Sequence, residues 1–255
     1  MFLKYLAEVH EHIDMDNMDF SDKNDDIDFF KQHEPKDISS DEYHAIKNYT
    51  DNSKDINRSL WNKTAGGSKI ITDIHSWIKK APPAQNDFHV YTGVNPNKNE
   101  LKGSIHVPAF TSTSTNPYVA AGFVNPNKKR HTTEILTDHH GNSVEHTVHH
   151  VIKIHVKKGQ QVGGYIPELS HYNTEKEFLI NNGHTLHFTG KHEDYKQTPS
   201  STDATPRIYR FHHATITTDD WFQSSVCQSA NSNTTLKKIT SSSSRIHCML
   251  NPPVI

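Results

Sequence analysis

Apolar positions repeat with two different periods along the chain, and the change of period divides it. Ser39-x-x-Glu42 is a capping-box pattern, and Tyr43, Ile46 and Tyr49 behind it are spaced for one helical face. Ser53 can cap a second helix, with Ile56 and Leu60 at i and i+4. A third helix is predicted from Lys69 to Lys80, where Ile70, Ile74, Trp77 and Ile78 recur until Pro82 and Pro83 stop it. Beyond the prolines the period becomes two. Phe88-His89-Val90-Tyr91 alternates and ends at Gly93, as a strand does. Residues Ile105 to Thr115 read as extended, and Asn116-Pro117 as an N-cap and first helical residue ahead of Ala120, Ala121 and Phe123. A hairpin is predicted from Thr132 to Val156, turning near His140-Gly141-Asn142. Further strands are predicted at 164–166, 177–180, 185–189 and 207–216. Helices first and strands after them indicate an α+β fold.

Composition narrows the picture. The chain has 255 residues, 33% of them hydrophobic, which suits one domain with polar appendages. Asp14, Asp16, Asp19, Asp22, Asp25, Asp26 and Asp28 give residues 1–37 an acidic bias, read as a peripheral arm or the solvated face of a helix. Residues 221–255 are serine-rich and read as a loose tail, leaving 38–220 as the main domain. A net charge of -2 without a long basic stripe argues against nucleic acid as a partner. No run of about 18 apolar residues occurs, so no membrane-spanning helix is expected. Residues 1–6 are too short an apolar stretch to read as a secretory signal. Cys227 and Cys248 are the two cysteines; they support neither a disulfide framework nor a zinc cluster, and they suit a reducing cytoplasm. The 21 histidines include the pairs His139-His140, His149-His150 and His212-His213. Neighbours on a strand face opposite ways, so such pairs read as strand faces and turns, and no metal is expected.

Candidate chemistry lies at Glu175-Lys176-Glu177, just ahead of an apolar run. On a strand, positions i and i+2 share a face. Two carboxylates on one face can divide a reaction: one steadies a developing cation while the other handles a nucleophile. Glu-x-Glu alone is a weak signal; its weight comes from the ordered features around it.

Four motifs occur in order. The first is Tyr49-Thr50 through Ser53, Ile56-Asn57 and Leu60; the second is Val90-Tyr91-Thr92-Gly93. The third is Phe110-Thr111-Ser112-Thr113-Ser114 with Ala120 and Phe123. The fourth is Gly159, Gly164-Tyr165-Ile166, Ser170 and Glu175-Lys176-Glu177-Phe178-Leu179. Over residues 38–188 this series resembles the mono-ADP-ribosyltransferase family, in its toxin-like Arg/Ser/Glu branch, and is most similar to the phage-encoded members. The resemblance implies a split β-sandwich of two roughly perpendicular sheets with the N-terminal helices packed at one side, and NAD as substrate in the cleft between the sheets. It implies transfer of ADP-ribose to a protein side chain, typically arginine, with release of nicotinamide. It gives Glu177 the support of the ribosyl cation, Glu175 the orientation and deprotonation of the acceptor, and Ser112 the holding of Glu177. Tyr49, Asn57, Tyr91, Gly93, Thr113 and Ser114 would line or contact the dinucleotide. Thr92 stands where the family has an arginine that clamps pyrophosphate, and Arg58 or Lys69 is a candidate to compensate. By the same resemblance the chain would act on arginine-bearing host proteins in the host cytoplasm, entering by expression or carried in the virion. Two other readings remain open: a catalytically degenerate scaffold serving as a virion or interaction protein, motivated by Thr92, and an NAD glycohydrolase with water as acceptor.

Overall fold

The computed structural model describes residues 31–94, 101–124, 132–137, 140–166, 169–170, 175–197 and 206–218. The aspartates of the acidic arm, the serine-rich tail, both cysteines and His139 lie outside the described residues.

Two helices open the described chain. Helix α1 spans Ser40–Trp61 and α2 spans Lys69–Lys79. The predicted capping box is formed at both ends: the Glu42 N–H donates to Ser39 Oγ (3.2 Å) and the Ser39 N–H to Glu42 Oε2 (2.7 Å). The sequence predicted two helices where α1 is continuous, but the break it anticipated is present. Asn52, next to Ser53, has φ -134° and ψ 38°, outside the helical region. Glu42 is itself buried and also accepts from Ser76 (2.7 Å) and Lys80 (2.6 Å), which ties α1 to α2. Ile46, Tyr49, Ile56, Ile74, Trp77 and Ile78 then close a shared apolar layer against Phe110, Ile166 and Leu179.

Among the described residues nine strands follow: β1 (Phe88–Val94), β2 (Ser104–Val107), β3 (Thr111–Ser114), β4 (Thr132–Thr137), β5 (Ser143–Val156), β6 (Gly163–Tyr165), β7 (Glu177–Ile180), β8 (His184–Gln197) and β9 (Arg207–Thr218). Helix α3, Pro117–Gly122, lies between β3 and β4, and the Asn116 side chain caps it by accepting from the Tyr118 N–H (2.9 Å). The fold is mixed α+β with a sheet-rich core, as the sequence indicated. Hydrogen bonding runs in the order β2-β8-β9-β5-β1-β3-β7-β6, with β4 attached to β5. Between β1 and β3 the register narrows to one pair, Tyr91↔Ser114. A long limb and a short limb, β3-β7-β6, therefore meet at one point.

The extended segment predicted at 105–115 is divided into β2 and β3, because Pro108 supplies no N–H to a ladder. Strand β8 runs on to Gln197, well past the predicted end at 189. A register shift between Phe188 and His192, with Gly190 at φ 77°, carries it across a bulge. Before the expected start at residue 38, His33 is already buried and packed at a tilt against Phe88, the ring centroids 5.0 Å apart.

Candidate active site

The junction of the two limbs builds the site. Strand β3 pairs antiparallel with β7, placing Ser114 opposite Glu177, Thr113 opposite Phe178 and Ser112 opposite Leu179. Alternation puts Ser112 and Ser114 on one face, and directly paired residues share a face, so Glu177 joins them. Tyr91, Thr92, Gly93, Ser112, Thr113, Ser114, Phe123, Glu175 and Glu177 line a cleft of about 220 Å³.

The two glutamates arrive together by a route other than strand periodicity. Strand β7 begins at Glu177, so Glu175 lies ahead of it. Lys176 between them has φ 46°, in the left-handed region that a residue with a Cβ enters at a cost of about 1–3 kcal/mol. Hydroxyls of the serine-threonine segment hold that turn. Ser114 Oγ donates to the Glu175 carbonyl (2.7 Å), the Thr115 N–H donates to the Lys176 carbonyl (3.1 Å), and Thr113 Oγ1 donates to the Phe178 carbonyl (2.5 Å). Thr113 and Ser114 thus spend their hydrogens on the backbone that presents the glutamates. Ser112 is left lining the cleft with Glu177, where its hydroxyl favours the ionised carboxyl.

Glu177 is 6% exposed. Burial pushes its carboxyl up to about 7; the Ser112 hydrogen bond opposes the rise and the charge of Glu175 adds to it. Glu175 is half-buried, and burial raises it to about 7 as well. Among the described residues, no cationic side chain lines the cleft. Two carboxyl groups poised near neutrality in one cleft, with no counter-charge in its lining, can serve as proton acceptors and as support for a cation.

Behind Ser112 stands α1. Tyr49 Oη lies 3.2 Å from Ser112 Oγ, and Asn57 Nδ2 donates to Tyr49 Oη at 3.2 Å. Burial raises the Tyr49 phenol far above its ordinary value, so it stays protonated. Asn57 Oδ1 is buried with no hydrogen-bond partner among the described residues.

The structure therefore brings Glu177, Glu175, Ser112, Tyr91, Thr92, Gly93, Thr113 and Ser114 into one lining, with Tyr49 and Asn57 behind it. Arg58 is placed elsewhere: it is exposed and its guanidinium bonds Asp55 at 2.9 Å. Gly93 is required by packing, since a Cβ there would meet the Ala120 carbonyl at 2.6 Å and Val124 Cγ2 at 2.9 Å. That close approach seats α3 on β1 and brings Phe123, 39% exposed, to the cleft. The sequence reading placed Phe123 behind the Asn116-Pro117 cap and gave it no part in the site; it is the C-cap, one residue past the helix.

A family model described as ADP-ribosyltransferase exoenzyme matches residues 27–205. The chain belongs to the ADP-ribosyltransferase exoenzyme family. Its fold is similar to that of Plx2a, an ADP-ribosyltransferase toxin from Paenibacillus larvae, with a TM-score of 0.51 and 17% identity over 73% of this chain and 93% of that one. It is also similar to C3stau2 from S. aureus, solved with NAD (TM-score 0.47, 18% identity, 71% of this chain and 88% of that one). The Clostridium limosum C3 exoenzyme is a third (TM-score 0.47, 16% identity, 81% and 94%). A comparison with curated proteins finds no match in sequence. Within this exoenzyme family, the present chain has the half-buried Thr92 hydroxyl at the cleft position where an arginine was expected.

Proposed function

We propose that this ADP-ribosyltransferase uses NAD as substrate and transfers ADP-ribose to a protein side chain, arginine by the resemblance of its Glu-x-Glu segment, with release of nicotinamide. The observation that carries this reading is the cleft that holds Glu175 and Glu177 together beside Ser112, both carboxyls raised by burial. Breaking the bond between ribose C1′ and nicotinamide leaves the electron pair on the departing ring and positive charge on the sugar, as in glycoside hydrolysis. An ionised Glu177, accepting a hydrogen bond from a ribose hydroxyl, stabilises that charge. A guanidinium, with pKa above about 12, becomes nucleophilic as its proton leaves, and Glu175 is placed to accept that proton. The cleft of about 220 Å³ is smaller than the roughly 300–1,000 Å³ that enclose a drug-sized ligand. It suits the nicotinamide-ribose end, with Phe123 at hand for ring stacking.

Incubation with labelled NAD and a lysate of bacterial host cells tests the reading, beside Glu177→Ala and Glu175→Gln. Labelled protein is expected with the native chain alone, and Glu175→Gln is expected to keep release of free ADP-ribose while losing transfer. Equal labelling by the native chain and Glu177→Ala, or none by either, removes it.

A second reading, a scaffold that no longer turns over, is favoured by Thr92 and by the Asp55 pairing of Arg58 away from the cleft. Calorimetry separates the two: millimolar or tighter binding of NAD with turnover eliminates the scaffold. Free ADP-ribose without any labelled protein would point instead to NAD glycohydrolysis, with water as the acceptor. Arginine as acceptor, phage origin and action on host proteins in the host cytoplasm are parts of the proposal that mass spectrometry of modified host proteins tests.

A further inference from the structure

The hydrogen bonds behind Ser112 have a direction that follows from counting protons. An ionised carboxylate only accepts, so where Ser112, in the same cleft lining as Glu177, acts on that carboxyl, it does so by donating its single hydroxyl proton. Ser112 Oγ can then only accept from Tyr49 Oη, 3.2 Å away. Tyr49, having given its proton to Ser112, must accept in turn, and Asn57 Nδ2 is the donor at 3.2 Å. With Glu177 ionised, each link follows from the one before it. The other end of the Asn57 amide, Oδ1, is buried without a partner among the described residues. No second bond fixes the amide, so its orientation follows Tyr49 and, through Tyr49 and Ser112, the charge on Glu177.

We infer that Asn57 and Tyr49 are positioning residues: with Ser112 they form a one-way file of donors ending on Glu177 that favours its ionised form and fixes the carboxylate in the cleft. The inference rests on the role proposed for Glu177, and it departs from the resemblance, which has Tyr49 and Asn57 contact the dinucleotide themselves. Burial favours positioning. Tyr49 is 1% exposed, packed edge-on against Phe110 at 5.7 Å, and its hydroxyl is reached through Ser112. The break at Asn52 lies between Tyr49 and Asn57, which a straight helix would place about 12 Å apart at Cα. The helix interruption therefore has a use: the second half of α1 supplies the last donor of the file.

Few other groups act on Glu177. Glu175 on the adjoining turn raises its proton affinity, and Ser112 on β3 lowers it. The β1 lining contributes Tyr91, Thr92 and Gly93 and no charge, and on the α1 side Arg58 is held by Asp55. When Glu177 takes up a proton the file can reverse, with Ser112 donating to Tyr49 and Tyr49 to a turned Asn57 amide. Ionisation of Glu177 and the polarity of the file are two faces of one equilibrium.

The test is a carboxyl-carbon NMR titration of Glu177 in the full chain without NAD, with the resonance assigned by its loss in Glu177→Gln. Tyr49→Phe keeps the ring and removes the relay proton. Cooperative strengthening adds about 10–30% to a hydrogen bond on a charged group, so the Glu177 midpoint is expected to rise by up to about 0.5 pH unit. Asn57→Asp accepts the Tyr49 proton and so withdraws it from Ser112; its own charge adds to the push, and a larger rise is expected. On a Ser112→Ala background Tyr49→Phe is expected to add nothing. In turnover, Tyr49→Phe lowers kcat about threefold on the acid limb and leaves KM for NAD unchanged. An unshifted midpoint in both variants, or a raised KM with kcat intact, overturns the inference. If Tyr49→Phe does not fold, Asn57→Asp decides alone. The titration needs no turnover, so an inactive native chain would sink the transferase reading while leaving this one measurable.

Discussion

The cleft and the far side of the long limb both take ionisable groups out of water, and they treat them in opposite ways. Between β4, β8 and β9, Arg210 forks onto Glu134 (2.5 and 2.9 Å) and Asp194 (2.8 and 2.7 Å). Hydrogen bonds from Arg210 hold Glu134 below its ordinary value, and they outweigh burial at Asp194 to lower it too. Beside them His150 Nδ1 and His212 Nε2 share a hydrogen bond of 2.8 Å, and Thr132 Oγ1 meets His150 Nε2 at 2.6 Å. Burial first, with neighbouring positive charge adding to it, pushes both histidines down to about 4, so they stay neutral. Every charge there has a counter-charge. In the cleft Glu175 and Glu177 have none in the lining, and their proton affinity rises instead. A paired network is a structural device, whereas unpaired acids kept at a cost to stability mark the place where chemistry is expected.

Removing the charge from each region should therefore have opposite consequences. The largest effect is expected from Glu177→Gln, where transfer of label from NAD falls by about 100-fold or more, as when one preorganised electrostatic group is lost, while the variant stays folded by circular dichroism. Next is Arg210→Met. It strands Glu134 and Asp194 and should cost about 2 kcal/mol in urea unfolding, discounted because the carboxylates remain partly solvated. Turnover per folded molecule should be unchanged.

The same contrast explains what the sequence could tell. Strand β7 and the start of α3 were legible to the residue, because local apolar period and a capping Asn116-Pro117 decide them. The far half of β8 was not. Residues 190–197 are Gly-Lys-His-Glu-Asp-Tyr-Lys-Gln, with no alternating apolar face, and His192 and Asp194 meet His212 and Arg210 on β9. Cross-strand ion pairing leaves no periodic signature in one strand alone. In the site, Glu175 and Glu177 were legible as a pair, but the expected reason was wrong. They converge through a left-handed Lys176 and a set of hydroxyl-to-carbonyl bonds, and a non-glycine residue gives no sign of a positive φ. The Asn57–Tyr49–Ser112 file spans helix and sheet and so follows from no local spacing.

Stability against pH sharpens the comparison further. Glu177 has a folded pKa of about 7 against an ordinary 4.5, so between those values the folded state binds more protons than the unfolded one. Native stability should fall as pH rises through that window. Glu177→Gln should be more stable than the native chain at pH 8, by on the order of 1–3 kcal/mol, with the gap closing below pH 4.5. The histidine pair runs the other way. With folded values near 4 against 6.5, the unfolded state binds more protons in that window, and stability is lost as pH falls through it. Replacing His150 and His212 together by phenylalanine should flatten that acid loss by about 1 kcal/mol, read as the thermal midpoint at pH 5 relative to pH 8.

The smallest effect is expected from giving the cleft what the other region already has. Thr92→Arg puts a guanidinium into the lining, at the position where the family resemblance expected one. It would stand near two carboxylates and near the path of a pyrophosphate, and the two attractions compete. A solvated ion pair is worth about 0.2–1 kcal/mol, so KM for NAD should fall by only about two- to fivefold, and less at high salt. The same cation should draw the Glu177 midpoint below about 7 and move the acid limb of kcat to lower pH. Both shifts can be read from one set of rates measured against NAD concentration and pH. If KM falls while the acid limb stays in place, the new guanidinium serves phosphate alone, and Glu177 is insulated from it. If neither moves, position 92 is remote from both, and the contrast between a compensated sheet face and an uncompensated cleft fails at the cleft.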